Sequence, residues 1–221
     1  MPPDASASAA VDFPIRDPER TRARILAAAT AEFSRYGLGG ARVDRIAAEA
    51  DTNKRMLYYY FGNKEGLFLA VLEATYAHIR SAETQLDLDA VEPLEGIRRL
   101  VAFTWRYYLE NPHFLTLLNS ENLHQARHLK NSKRIAAMHS PFIATIADLL
   151  QRGEAGGTIR AGIDPVQLYI SIAALSYFYL SNNHTLSTVF VRDLLSPRAR
   201  SARLRHMTEL IEHALRPECA Q

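Results

Sequence analysis

The chain reads as all-α, a small three-helix head followed by a larger helical body, on three observations. Apolar residues recur at intervals of three and four along most of its length. Proline follows a capping residue at Asp17-Pro18, Asn111-Pro112, Asp164-Pro165 and Ser196-Pro197, the arrangement of helix starts. No stretch alternates convincingly as a strand does. With 221 residues, 48% of them hydrophobic, the chain can bury a sizeable core.

The head is predicted element by element. Asp17 caps and Pro18 opens a first helix whose inner stripe is Ile25, Ala29 and Phe33, and Gly37 with Gly39-Gly40 ends it. Val43, Ile46, Ala47 and Ala50 share one face of a second helix. Asp51-Thr52-Asn53 is a turn, and Asn53 is placed to cap a third helix that Leu57 and Phe61 anchor inward. At 100° per residue this anchoring turns Thr52, Arg55 and Tyr59 outward, flanked by Lys54 and Tyr58. Two helices joined by a tight turn make a helix-turn-helix. Its outer stripe suits the DNA major groove, where Arg or Lys meets guanine edges and tyrosine hydroxyls reach phosphates or bases. The alternative is a solvated helix face, which needs no outward aromatics. Charge favours the first reading. The formal net charge is only +2, yet residues 20–64 hold nine Lys or Arg against four acids, while residues 65–221 hold sixteen of each. Polyanion binding is therefore expected to be local to the head.

The run Leu57-Tyr58-Tyr59-Tyr60-Phe61, followed by Gly62-Asn63-Lys64-Glu65, resembles the head of the TetR family of one-component bacterial transcription regulators. The resemblance implies DNA contacts at Arg42, Lys54, Arg55, Tyr58, Tyr59, Tyr60 and Lys64. With Thr52 and Asn53 of the turn, these form the candidate DNA-binding set. The chain departs from the family pattern at three places: Asp51 replaces the usual turn glycine, Arg42 the usual Ser or Thr cap, and Tyr60 the usual His. Asp tolerates a left-handed backbone better than most residues. Arg42 forgoes a side-chain cap and gains a phosphate-binding charge.

In the body, a connecting helix is predicted from Asn63 to about Gln85, then helices near 93–110, 112–126, 140–153, 165–183 and 197–215. Residues 127–139 read as either a short helix or a loop, and 154–162 as turn-rich. The expected organisation is a disordered lead over 1–16, the head over 17–65, a helical effector-binding and dimerisation domain over 66–216, and a tail over 217–221. Leu168 to Leu180 is apolar nearly all round, so it must be covered on more than one side. A second copy is one cover, with Leu204, Thr208, Ile211 and Leu215 as a partner stripe, and a buried central helix of a monomer has the same pattern. The resemblance implies that the last two long helices form a four-helix dimer interface. A homodimer is expected, its two heads reading a palindromic operator with half-sites about one DNA turn apart.

Trp105, Tyr108, Phe114, Phe142, Tyr177 and Phe178, with Asn119, His124 and His139, are candidate walls and polar groups for a small-molecule effector, although aromatics at helical spacing also describe a plain core. Glu121, His124 and His128 fall within reach of one metal ion on a single helix face. A solvent-facing trio explains them equally, and no fourth ligand is identifiable. No metal and no cofactor is expected. The single cysteine, Cys219, excludes an internal disulfide and fits a reducing cytosol. No leader pattern and no bilayer-length apolar run is present, so a cytoplasmic protein without membrane contact is expected. No Gly-Lys-Ser/Thr, His-Glu-x-x-His or Gly-x-Ser-x-Gly motif occurs, and Gly37-Leu38-Gly39-Gly40 follows a helix rather than a strand, so catalysis is not expected. The expected function is a ligand-responsive repressor. Two other readings remain: an effector-independent activator or architectural protein, and a helical small-molecule-binding protein whose head makes protein contacts.

Overall fold

The computed structural model describes residues 17–217. The expectations for the lead, for the end of the tail and for Cys219 lie outside the described residues. The elements are α1 (Pro18–Gly40), α2 (Val43–Glu49), α3 (Lys54–Phe61), α4 (Lys64–Thr84), α5 (Pro93–Glu110), α6 (Pro112–Leu123), α7 (Lys133–Ala155), α8 (Pro165–Ser181), α9 (Asn183–Val189) and α10 (Pro197–Leu215), with a 3-10 turn at Leu129–Asn131. There is no strand among the described residues.

Helix starts follow the local chemistry. Carboxylates of Asp17, Glu92 and Asp164 accept the first free amides of α1, α5 and α8, and Ser196 caps α10, each just before a proline. Asn53 and Asn63 cap α3 and α4 by accepting the amides of Met56 and Gly66. α1 ends at Gly40, as its glycines predict, with a kink at Gly37 where φ is 63°. Two expectations are corrected. The helix expected to begin at 140 begins at Lys133, capped by Ser132, and carries Pro141 in its interior. The helix expected over 112–126 stops at Leu123, and Gln125 and Ala126 take positive φ in the turn that follows.

Two hydrophobic clusters organise the molecule. One gathers Ile25, Ala29 and Phe33 of α1 with Ile46, Ala47 and Leu57, and it also takes Leu67, Phe68, Val71 and Leu72 from α4 and Leu117 from α6. The other gathers Ile97, Leu100 and Trp105 of α5, Ile146 and Leu149 of α7, Leu168 and Ile172 of α8, and Met207, Ile211 and Leu215 of α10. α4 contributes to both, since Ile79 belongs to the second. It is one continuous rod from head to body.

α8 and α10 correct the expected partner stripe. Ile211 and Leu215 face the molecule's own core, with Leu204 packed against it. The apolar residues left outside are Val166, Ile170 and Phe178 on α8 and Leu210 on α10. Phe178 and Leu210 line a groove of about 700 Å³ whose floor includes Ala174 and Ala214.

Gly66 allows α3 and α4 to meet closely: a Cβ there would lie 2.2 Å from the Phe61 carbonyl oxygen. Gly66→Ala must therefore push the helix-turn-helix away from α4. We expect a loss of about 1–3 kcal/mol in stability, measured by urea denaturation, with a parallel loss of DNA affinity.

Candidate nucleic-acid interface and body cavity

The outward face of α3 is built as the spacing predicts. Leu57 is buried, while Arg55, Tyr58 and Tyr59 are exposed, Tyr59 to 77%. An exposure this high for a tyrosine leaves most of a large planar surface open to solvent, the kind of group that a groove covers. Asp51 holds the tight turn at φ 45°, supported by Arg24, which donates to its carbonyl at 2.8 Å. Arg55 has no ion pair among the described residues, whereas Lys54 Nζ lies 2.5 Å from Asp44 Oδ1 on α2.

The other candidates divide. Arg42 is exposed at the start of α2 with no side-chain cap, and its amide donates instead to Glu32 Oε1 at 2.8 Å. Glu32 also accepts Arg45 Nε at 2.8 Å, so one carboxylate on α1 sets the position of α2. Lys64 and Thr52 are half-buried, and the Asn53 side-chain oxygen is occupied by its capping bond. Tyr60 is half-buried against the head core with its ring edge-on to Tyr59 at 5.3 Å, so packing absorbs most of it.

The body candidates do not converge. Trp105 packs against Tyr179 and Tyr108 stacks on Phe114, both deep in the core. Tyr177 donates its hydroxyl to Asn119. Phe178 is 59% exposed on the outer face of α8, which corrects its assignment to the interior. His139 lies on α7, but its side chain is outside the described residues. Among the described candidates, Phe142 lines the cavity described below.

Glu121, His124 and His128 do not share a helix face, nor do they face solvent as a trio. Glu121 is buried, and its Oε1 accepts the amides of His128 and Leu129 at 2.9 and 3.0 Å while Oε2 meets His128 Nδ1 at 2.6 Å. His124 Nδ1 lies 2.7 Å from the Ser120 carbonyl oxygen, and its ring meets that of His128 edge-on at 5.8 Å without reaching Glu121. No group of three His, Cys, Asp or Glu that could hold a metal is present among the described residues. The carboxylate instead ties the turn after α6 beneath the head, where His128 meets the Phe68 ring edge-on at 5.2 Å. Beside it, Ser120 Oγ accepts the Leu38 amide at 3.4 Å.

A cavity of about 500 Å³ opens between α4, the turn after it and α7. Its buried polar groups are Arg80 and Glu83, both missed in the sequence. Their signal was position: in a helix whose inward stripe runs through Leu72, Tyr76 and Ile79, residues 80 and 83 continue that stripe as charges. Arg80 Nη1 lies 3.0 Å from Glu83 Oε2, but the two are misaligned and form no hydrogen bond. Burial therefore outweighs the pull of Arg80, and the Glu83 carboxyl is pushed up to about 8. Because the folded protein favours the protonated acid, the contribution of Glu83 to stability is fully present below its ordinary value of 4.5 and is lost as pH rises toward 8. Glu83→Gln is expected to flatten this decline, measured as urea midpoints at pH 5, 7 and 9. Parallel curves for variant and parent would place the titration elsewhere.

A basic helix-turn-helix with exposed Arg and Tyr on its second helix, joined by a continuous rod to an all-helical body, is the build of a DNA-binding transcription regulator. Comparison with known proteins agrees. Residues 25–71 match the family model described as "Bacterial regulatory proteins, tetR family", and residues 93–211 match a "Tetracyclin repressor-like, C-terminal domain". The chain is 41% identical over 198 residues to the HTH-type transcriptional repressor NicS of Pseudomonas putida, covering 90% of this chain and 93% of that protein. It is 36% identical over 163 residues to the HTH-type transcriptional repressor SCO4008 of Streptomyces coelicolor, covering 73% and 80%. The crystal structure of SCO4942 from Streptomyces coelicolor superposes with a TM-score of 0.66 at 27% identity, covering 89% of this chain and 99% of that one. At 15% identity, the fold is also that of FadR from Bacillus subtilis, solved with stearoyl-CoA, with a TM-score of 0.63 over 88% of this chain and 99% of that one. The chain belongs to the TetR family.

Proposed function

We propose that this protein is a cytoplasmic, ligand-responsive repressor that binds a palindromic operator as a homodimer, with residues 17–65 reading DNA and residues 66–216 binding an effector and the second subunit. The observation that carries the proposal is the outer stripe of α3, where Arg55, Tyr58 and Tyr59 stand exposed on a helix fixed from behind by Leu57. Arg42 and Lys64 stand at the starts of the neighbouring helices, suited to phosphates. The names of NicS and SCO4008 support repression. No helix among the described residues is long and apolar enough to cross a membrane.

Dimerisation follows from the groove between α8 and α10. Phe178 and Leu210 are exposed apolar residues that line it from two long helices, a face suited to a second copy related by a two-fold axis. One head makes few base contacts, so two are needed for operator specificity. An effector then acts by binding two head spacings with different affinity, transmitted through α4.

Salt-titrated binding of duplex DNA tests this reading. A regulator is expected to show a steep log-log slope and a strong preference for one palindrome, whereas a protein-contact module shows neither. Ala174→Arg, which places a charge in the α8–α10 groove, is expected to give monomers by sedimentation and to lose the palindrome preference. A variant that stays dimeric would move the interface elsewhere.

A further inference from the structure

The segment that links α8 to α10 leaves a run of apolar side chains exposed. α9 has no buried residue, and Val189, Phe190 and Val191 at its end are 71%, 61% and 88% exposed, with Leu195 exposed just before α10. The segment is nonetheless firmly built. The Tyr179 hydroxyl of α8 donates to the Leu194 carbonyl at 2.9 Å, and the Tyr179 ring is itself held edge-on to Trp105 and beneath the Arg203 guanidinium of α10. Ser187 Oγ accepts the Leu194 amide at 3.3 Å, the Ser187 carbonyl accepts the Arg192 amide at 3.0 Å, and Asp193 Oδ1 accepts the Leu195 amide at 2.9 Å. These bonds make a fixed projection with an apolar tip.

Val191 takes φ of 50°, a left-handed conformation that costs a β-branched residue energy and that Gly or Asn adopts readily. A turn built only to face water has no use for valine there. The cost is offset where the side chain is buried, and no described residue of the same chain supplies that burial.

The tip is bounded at both ends by the helices of the α8–α10 groove. Phe178 lines that groove near the end of α8, and Leu195 lies just before α10 begins. The groove by itself offers too little for a lasting dimer. Phe178 and Leu210 are its exposed large apolar side chains, whereas a stable interface buries about 800 Å² and about 20–30 residues on each partner. A tip that continues the same face enlarges it, and a two-fold pair presents the tip twice. We propose that Val189, Phe190 and Val191 form an arm that packs against the second copy of this chain and extends the α8–α10 interface. The proposal rests on the reading of the protein as a homodimer through that groove and names a further surface of contact.

The test uses the full-length protein, with oligomeric state read by fluorescence-detected sedimentation over a concentration series and subunit exchange read by energy transfer between two labelled pools. Phe190→Ser is expected to speed exchange at least tenfold relative to the parent, since interface changes act mainly on dissociation. Val191→Asn is expected to speed it several-fold, and Asn keeps the left-handed backbone of that position. Both changes are at exposed positions beside a helix with no buried residue, so the circular dichroism of each variant is expected to match the parent. A dimeric parent whose two variants exchange at the parental rate overturns the arm alone and leaves the groove as the dimer face. Loss of a larger assembly with an unaltered dimer also overturns it, because the tip then joins one dimer to another. A parent that stays monomeric at every concentration overturns the homodimer reading itself.

Discussion

Replacing Glu121 by alanine is expected to cost about 3–5 kcal/mol of folding stability, a large share of what a protein of this size possesses. The carboxylate accepts two amides and a histidine nitrogen from within the fold, at 2.9, 3.0 and 2.6 Å, so its removal leaves three buried polar groups without partners at once. It also holds a turn in which Gln125 and Ala126 take φ of 55° and 56°, a conformation that non-glycine residues adopt only when their surroundings impose it. Glu121→Gln keeps one oxygen for the amides and is expected to lose clearly less. Urea denaturation of the two variants separates these outcomes. Equal, small losses would mean that water replaces the carboxylate and that the turn is held by packing alone.

The second large effect is on DNA. Arg55→Ala is expected to lower affinity for the specific operator by about 10- to 100-fold while leaving random duplex nearly unchanged, because an exposed guanidinium on the outer stripe of α3 is placed to read a guanine edge. Lys64→Ala is expected to weaken specific and random DNA alike and to lower the log-log salt slope by about one per head, as a phosphate contact does. Lys54→Ala should do less than either, since Lys54 is paired with Asp44 before DNA arrives. Fluorescence anisotropy with operator and scrambled duplexes across a salt series checks all three. If Lys64→Ala narrowed the gap between the two duplexes and Arg55→Ala did not, their roles would be exchanged.

The head was the legible part of this chain because its signals are local. Asp17-Pro18 and the Asn53 cap act on residues two or three away, and the outward turn of Arg55 and Tyr59 follows from Leu57 and Phe61 on the opposite side. Helices beginning at Asp164-Pro165 and Ser196-Pro197 were legible for the same reason, whereas at α6 only Pro112 marks the start, since the Asn111 side chain does not cap and donates back to the Tyr107 carbonyl. Where two local signals competed, the reading failed. Ser140-Pro141 imitates a helix start, yet the cap of α7 is Ser132, and the helix accepts an interior proline because its later turns are anchored by Ile146, Leu149 and Leu150. The seven residues of α9, rich in Thr, Ser and Asn, carry no helical stripe and no buried residue, so nothing marked them.

The body site was less legible because it depends on which faces meet. Aromatic content pointed to Trp105, Tyr108 and Phe178, but two of these fill the core and one faces outward. Arg80 and Glu83, which do line the cavity, were not singled out, because no local signal separates an inward charge on a long helix from a solvated one. Likewise Ile211 and Leu215 showed the correct periodicity for an interface, and the interface is with α8 and α5 of their own chain.

The packing around Phe33 limits how modular this architecture is. Phe68 crosses that ring edge-on at 5.1 Å, and Val71, Leu72 and Leu117 close the same cluster from α4 and α6. A fragment cut at residue 65 would strip those four side chains from the reading unit and leave its interior open to water. Chimaeras that exchange operator specificity between relatives must therefore transplant through Leu72 and match the residue received at position 117, or the grafted piece arrives without a floor.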